Sequence, residues 1–157
     1  MVNMKNESEK VRIFWEEFLR STGRSETTEC FEVFYFGLTE KLANELLELV
    51  LIGQKKATSS SSWTYEIKGE LLPKVGDLSI VTDFEGSPKC VIETRNVTIV
   101  PFSEMTFDIC KREGEDDSLE SWREGHIRFF TEEGKLVGFE FREDMPVVFE
   151  DFEVIYK

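Results

Sequence analysis

The sequence predicts an α+β fold, and three observations carry that expectation. Apolar residues recur at helical spacing in the first fifty residues, switch to alternation after Ser60, and return to a helical and then a strand pattern toward the end. The βαβ alternations are too few for a doubly wound sheet, so helices packed on a mixed or barrel-like sheet are expected. The length of 157 residues fits one domain with one core. Fourteen Phe and three Trp supply much of that core, since aromatic side chains each bury a large area.

The elements follow in order. Glu9 to Ser21 reads as a helix with Val11, Phe14, Trp15, Phe18 and Leu19 on one side, ended by Gly23. Phe31 to Phe36 is a short extended piece. Thr39 is a suitable N-cap for a second helix, with Glu40 in its first turn, where the dipole favours an acid. Leu42, Leu46, Leu49 and Val50 form its apolar face, and Gly53 stands where a left-handed terminator belongs. Trp63, Tyr65 and Ile67 alternate with polar residues and predict a strand. Pro73 to Asp77 is a tight turn. Leu78 to Asp83 and Lys89 to Val100 are β-rich runs joined by the turn residues Glu85 to Pro88. Phe102 to Arg112 is expected as a short helix. Asp117 with Glu120 forms a capping box for a longer helix bearing Trp122, His126, Phe129 and Phe130. Lys135 to Phe141 and Pro146 to Tyr156 are expected as closing strands.

Composition narrows the function classes. The net charge is −13. Nucleic-acid affinity normally draws on a basic surface and counterion release, so the global field opposes non-specific RNA binding. A small nucleoside meets no such objection. No stretch approaches the roughly 20 apolar residues that span a bilayer, and Met1 to Lys10 lacks the apolar run of a signal peptide. Cys30, Cys90 and Cys110 are odd in number and widely spaced, which implies neither a disulfide framework nor a metal site and makes a reducing cytoplasm the simplest setting. Asn96-Val97-Thr98 matches a glycosylation sequon and, without an export signal, reads as chance. There is no Walker loop, dinucleotide-binding glycine pattern or zinc spacing, so no cofactor and no metal are expected.

Two segments can carry chemistry. Gly53-Gln54-Lys55-Lys56-Ala57-Thr58-Ser59-Ser60 puts two lysines and a run of hydroxyls at a helix exit. A desolvated lysine gives up its proton more readily and can serve as a base, and a nearby hydroxyl then becomes a candidate nucleophile. The plainer account is a solvated helix end whose lysines complement the dipole, and spacing alone favours it. Glu113-Gly114-Glu115-Asp116-Asp117 can offer a general acid, a general base or a metal ligand. Acids just before a helix also stabilise its start, and Asp117 fits that role. His126, the one histidine, shares a helix side with aromatic residues and reads as a partly buried structural residue. Trp63 and Tyr65 can stack on a base, although alternate strand positions more often face a core. Arg95 and Arg123 are candidate anion contacts, with solvated surface roles the plainer account.

The ordered set of motifs resembles a known family. Gly53-Gln54-Lys55-Lys56-Ala57-Thr58 is similar to the G-x-K-x-x-T signature of the ASCH domain. Leu42 to Leu51 resembles the helix before that signature, and Leu72 to Asp77 its P-x-x-G-D turn. Cys90 to Thr94 resembles the strand that follows. Glu113-Gly114-Glu115, Ser118-Leu119, Trp122-Arg123 and His126 resemble a segment of the larger bacterial branch, and Phe149 to Tyr156 its closing strand.

That resemblance implies a small PUA-like β-barrel flanked by helices. It implies one domain over 1–157, with 1–23 as an N-terminal helical extension. It also implies a cleft that receives RNA or a nucleobase. Some small members are amidohydrolases that deacetylate N4-acetylcytidine; others are linked to RNA cleavage or to RNA binding alone. Carried over, Lys55 would be the base, Thr58 the nucleophile and Glu115 the proton donor, with Glu113 the alternative donor. Gly53, Lys56, Ser59, Ser60, Trp63, Glu113 and Arg123 would help bind substrate. A nucleoside or RNA ligand is the expected partner, with neither a membrane nor DNA. Binding without turnover, or metal-assisted RNA cleavage, are the alternatives to amide hydrolysis.

Overall fold

The computed structural model describes residues 1–157. Five strands form one mixed sheet in the order β1-β3-β4-β5-β2, curled into a half-barrel. They span Glu32–Phe34 (β1), Ala57–Ser61 (β2), Leu78–Thr82 (β3), Pro88–Pro101 (β4) and Pro146–Tyr156 (β5). β1 runs parallel to β3, and the other pairs are antiparallel. The main helices are α1 (Glu9–Thr22), α2 (Glu40–Leu51), the short α3 (Ser62–Lys68) and α4 (Phe107–Cys110), and α5 (Leu119–Val137).

The two ends of the first two helices obey their sequence signals. Ser8 and Thr39 accept from the third backbone N–H of α1 and α2, and Gly23 ends α1 in the left-handed region at φ +69°. α1 lays Val11, Trp15, Phe18 and Leu19 on Leu78, Ile80 and Val91. α2 lays Leu46, Leu47 and Val50 on Val81, Cys90, Ile92 and Phe152. Ile80 and Val81 go to different helices because successive strand residues point to opposite faces. A third cluster joins Trp122 and Phe130 of α5 to Ala57, Phe102, Met145, Val147 and Phe149.

Four expectations need correction. The segment with Trp63, Tyr65 and Ile67 is the helix α3, not a strand. Ser61 accepts from the Trp63 N–H at 3.2 Å and starts the helix, and Gly69 at φ +66° stops it. Over seven residues the two periodicities cannot be told apart, and the terminators decide. Lys135 to Phe141 is not a strand either. α5 continues to Val137, and the amides of Gly138 and Phe139 both return to the Gly134 carbonyl, at 2.8 and 3.0 Å. Its N-cap is Ser118, which accepts from Ser121 at 3.1 Å; Asp117 lies one residue outside the cap. The helix expected over Phe102 to Arg112 is broken into two 3-10 turns flanking the four residues of α4.

Two part-buried glutamates on the sheet, Glu32 and Glu150, repel one another. Glu32 aligns with Ser79 on the neighbouring strand, and Glu150 of β5 accepts from the Thr94 hydroxyl at 2.6 Å. Burial, and then the facing charges of Glu150 and Glu70, push the Glu32 carboxyl up to about 7. A carboxyl raised in the folded state favours folding only while it holds its proton. Its contribution is present below the unfolded value and is lost as pH rises through about 7. Glu32→Gln is therefore expected to stabilise the protein at alkaline pH, by up to about 3 kcal/mol, and to do little in mild acid. Urea denaturation of both proteins across that pH range checks this; equal gains at every pH would contradict it.

Candidate functional site

The site is built where α2 releases the chain. Gly53, at φ +80°, turns the backbone left-handed, and the amides of Gln54 and Lys55 both fold back onto the Leu49 carbonyl, at 2.9 and 3.0 Å. The released strand is then tied to a segment some 60 residues later. The Lys56 amide donates to the Arg112 carbonyl at 3.1 Å, and the Gln54 side-chain amide donates to the Gly114 carbonyl at 2.7 Å. Gly114, at φ +71°, lies so close that a Cβ there would sit 2.2 Å from the Gln54 oxygen. The lysine segment and the acidic segment are thus held as one unit.

The Lys55 side chain turns inward and is 2% exposed. Its ammonium donates to the Ala57 carbonyl at 2.7 Å and to Glu115 at 2.6 Å, and lies 3.6 Å from Glu113. It also stands 5.2 Å from the centre of the Phe36 ring, a favourable cation–π position. Glu113, 1% exposed, accepts from the Ser59 amide at 3.2 Å, from the Ser59 hydroxyl at 3.0 Å and from the Trp122 indole N–H. His126 faces the same carboxylate at 3.5 Å through Nε2.

The two carboxyls are driven apart. Burial pushes Glu113 upward, but the charges of His126 and Lys55 and the hydrogen bonds from His126 and Trp122 outweigh it and hold the group at about 2. Burial also raises Glu115, and there the Lys55 charge falls short of reversing it because Glu113 adds repulsion. Glu113 is thus the more strongly held anion of the two, and Glu115 the one with the higher proton affinity. Such a split is how neighbouring carboxyls acquire different roles. Cys30 and Cys90 are pushed up to about 12 by burial, so neither offers a thiolate near neutral pH.

A cavity of about 480 Å³ opens over this cluster. Lys55, Thr58, Ser59, Glu113, Glu115 and His126 line its polar side, while Phe36, Leu38, Leu42, Leu46, Leu49 and Phe129 form an apolar wall. An apolar wall facing a few convergent polar groups is the usual make-up of a small-molecule site. Lys55, Thr58 and Glu115, together with Ser59 and Glu113, are brought to this one place.

The other residues singled out in the sequence lie elsewhere. Gly53 shapes the turn, and Lys56 is exposed and contributes backbone bonds. Ser60 shares with Thr58 the strand face opposite Ser59, but of the two only Thr58 lines the cavity. Trp63 packs edge-on to Phe139 at 5.7 Å beneath the Arg142 guanidinium. Arg123 spans both oxygens of Glu143 at 2.8 Å.

His126 reaches the cavity, which its helical neighbours did not suggest. So does the apolar wall of α2, whose residues read in sequence only as core. The signals for His126 were its spacing from Trp122, which places both on one side of α5, and its place in the segment that resembles the larger bacterial branch.

The curled mixed sheet with a lysine–glutamate cleft at a helix exit defines the chain as a PUA-like domain, an RNA-binding fold. It belongs to the ASCH domain family, whose model matches residues 32–156. The ASCH domain from Lactobacillus crispatus is 39% identical, with a TM-score of 0.90, covering 99% of this chain and 100% of that one. A protein from Enterococcus faecalis is 34% identical, with a TM-score of 0.86, covering 94% of this chain and 89% of that one. Among curated proteins none matches. No helix is long and apolar enough to cross a membrane.

Proposed function

We propose that the protein is an amidohydrolase acting on a modified nucleoside or nucleotide, of which N4-acetylcytidine is the first to try. The observation that carries this reading is the 2.6 Å contact between Lys55 and Glu115 at the floor of a cavity also lined by Thr58. Moving one proton across that contact turns the ion pair into a neutral amine and a carboxylic acid. In that state Lys55 takes the Thr58 hydroxyl proton while the threonine oxygen bonds to the acyl carbon. Glu115 gives its proton to the leaving exocyclic N4 amine as the C–N bond breaks. Water then hydrolyses the threonine ester, releasing the carboxylic acid and restoring the hydroxyl. The raised Glu115 carboxyl favours the proton-bearing form that this step needs.

The test is to incubate the protein with N4-acetylcytidine and follow cytidine and acetate. Wild type is expected to turn over, and Thr58→Ala and Glu115→Gln to lose at least ~100-fold in kcat. Turnover by Thr58→Ala at the wild-type rate would remove the threonine from the mechanism. Absence of wild-type turnover on this and related N-acylated nucleosides, with retention of RNA at low salt, would leave a binding module in its place.

A further inference from the structure

We propose that His126 is a positioning residue, held as an imidazolium between Trp122 and Glu113, which locks Glu113 as a permanent carboxylate and so leaves Glu115 as the group that carries the exchangeable proton. The role given to Glu115 rests on the hydrolase reading above; the charge state of His126 does not.

The argument begins with hydrogen positions. His126 Nδ1 lies 2.8 Å from the Trp122 carbonyl, which can only accept, so Nδ1 carries a hydrogen. Nε2 then points at Glu113 across 3.5 Å. A neutral ring would aim its lone pair at a carboxylate, which is repulsive; a second proton turns the contact into an ion pair. Placing that proton on Glu113 instead is disfavoured, because Glu113 already serves three donors, from Ser59 twice and from Trp122. A protonated acid gives up acceptor capacity where acceptors are in demand.

Trp122 organises the arrangement three times over. One helical turn before His126, it lends its carbonyl to Nδ1, its indole N–H to Glu113, and its ring as a stacking surface 4.2 Å from the imidazole at 20°. An aromatic face beneath the ring favours the cation. The charged groups that share the cavity with His126 are Glu113, Glu115 and Asp116 before α5, Lys55 before β2, Glu45 on α2, and Arg128 and Glu132 on its own helix. Carboxylates outnumber cations in that set. Burial alone would discharge the ring, and Glu113 first, then Glu115, overturns that and raises its proton affinity.

The functional consequence lies in the division of labour between the two glutamates. Without the imidazolium, Glu113 loses one of its two facing cations and competes with Glu115 for the proton. Two carboxyls sharing one proton cannot serve as a defined donor.

The experiment is an NMR titration of protein labelled in its histidine ring nitrogens and glutamate carboxyls, as wild type, His126→Gln and His126→Phe. In wild type both ring nitrogens are expected to be protonated at about pH 7.5, and Glu113 to show no titration between about pH 4 and about pH 9. In both variants Glu113 is expected to titrate inside that window. A neutral wild-type ring overturns the proposal, and so does a Glu113 that stays silent in both variants. The wild-type ring measurement decides the matter even where a variant does not fold. None of these readings needs turnover, so failure to release cytidine would overturn the hydrolase and leave this result standing. Where turnover is present, both variants are expected to lose at least 10-fold in kcat with KM little changed; unchanged kcat overturns the positioning role.

Discussion

Lys55→Met is expected to abolish the proposed amide hydrolysis and to lower folding stability by about 3–5 kcal/mol, because it leaves an acid pair facing a core with one of its cations removed. Methionine keeps the stem volume and replaces the ammonium's cation–π contact with Phe36 by a sulfur–aromatic one, so packing loss contributes little to the expected change. The destabilisation has a pH signature. With the ammonium gone, Glu115 rises further and holds its proton longer. The variant is therefore expected to recover stability as pH falls and Glu115 becomes neutral. Urea denaturation of wild type and Lys55→Met across that range reads this directly. A constant difference at all pH values would mean that the lysine contributes packing and not charge.

Gly114→Ala is expected to be nearly as severe, for a backbone reason. A Cβ at this position meets the Gln54 oxygen at 2.2 Å and the Gln54 carbonyl carbon at 2.7 Å, both main-chain atoms that no rotamer change can move. The residue also sits at φ +71°, which costs a non-glycine residue roughly 1–2 kcal/mol by itself. Strain and overpacking together are expected to total about 2–5 kcal/mol. Relief comes only by pushing apart the segments that carry Lys55 and its two acids. Thermal unfolding and the assay for cytidine release are expected to show both losses together. A folded Gly114→Ala protein with wild-type kcat would show that the close approach does not set the catalytic distances.

How legible this was from sequence differs from one element to the next. α2 was read correctly because independent signals agreed on it: Thr39 caps, Glu40 follows, the apolar face has helical period and Gly53 terminates. The strands β3, β4 and β5 declared themselves through long β-rich runs between turns. α3 did not, because a seven-residue helix rich in aromatic and branched residues carries the composition of a strand. The far end of α5 did not either, since Phe139 and Phe141 are partly buried residues that a loop packs against the core. Lys55, Thr58, Glu113 and Glu115 were singled out by an ordered set of motifs and not by their spacing. His126 was set aside because its carboxylate partner lies 13 residues upstream, across two bends of the chain, where periodicity reports nothing.

The stitching of Gln54 and Lys56 to Gly114 and Arg112 makes the cavity a property of the assembled chain. A fragment ending in the Glu85 to Ser87 turn holds Lys55 and Thr58 without Glu113 or Glu115, and the complementary fragment holds both of those acids and His126 without Lys55. Neither half can form the Lys55–Glu115 contact alone. Cutting the chain at that exposed hairpin would therefore yield two incomplete pieces that regain the cavity only by finding each other, so recovered activity would count reassembled molecules.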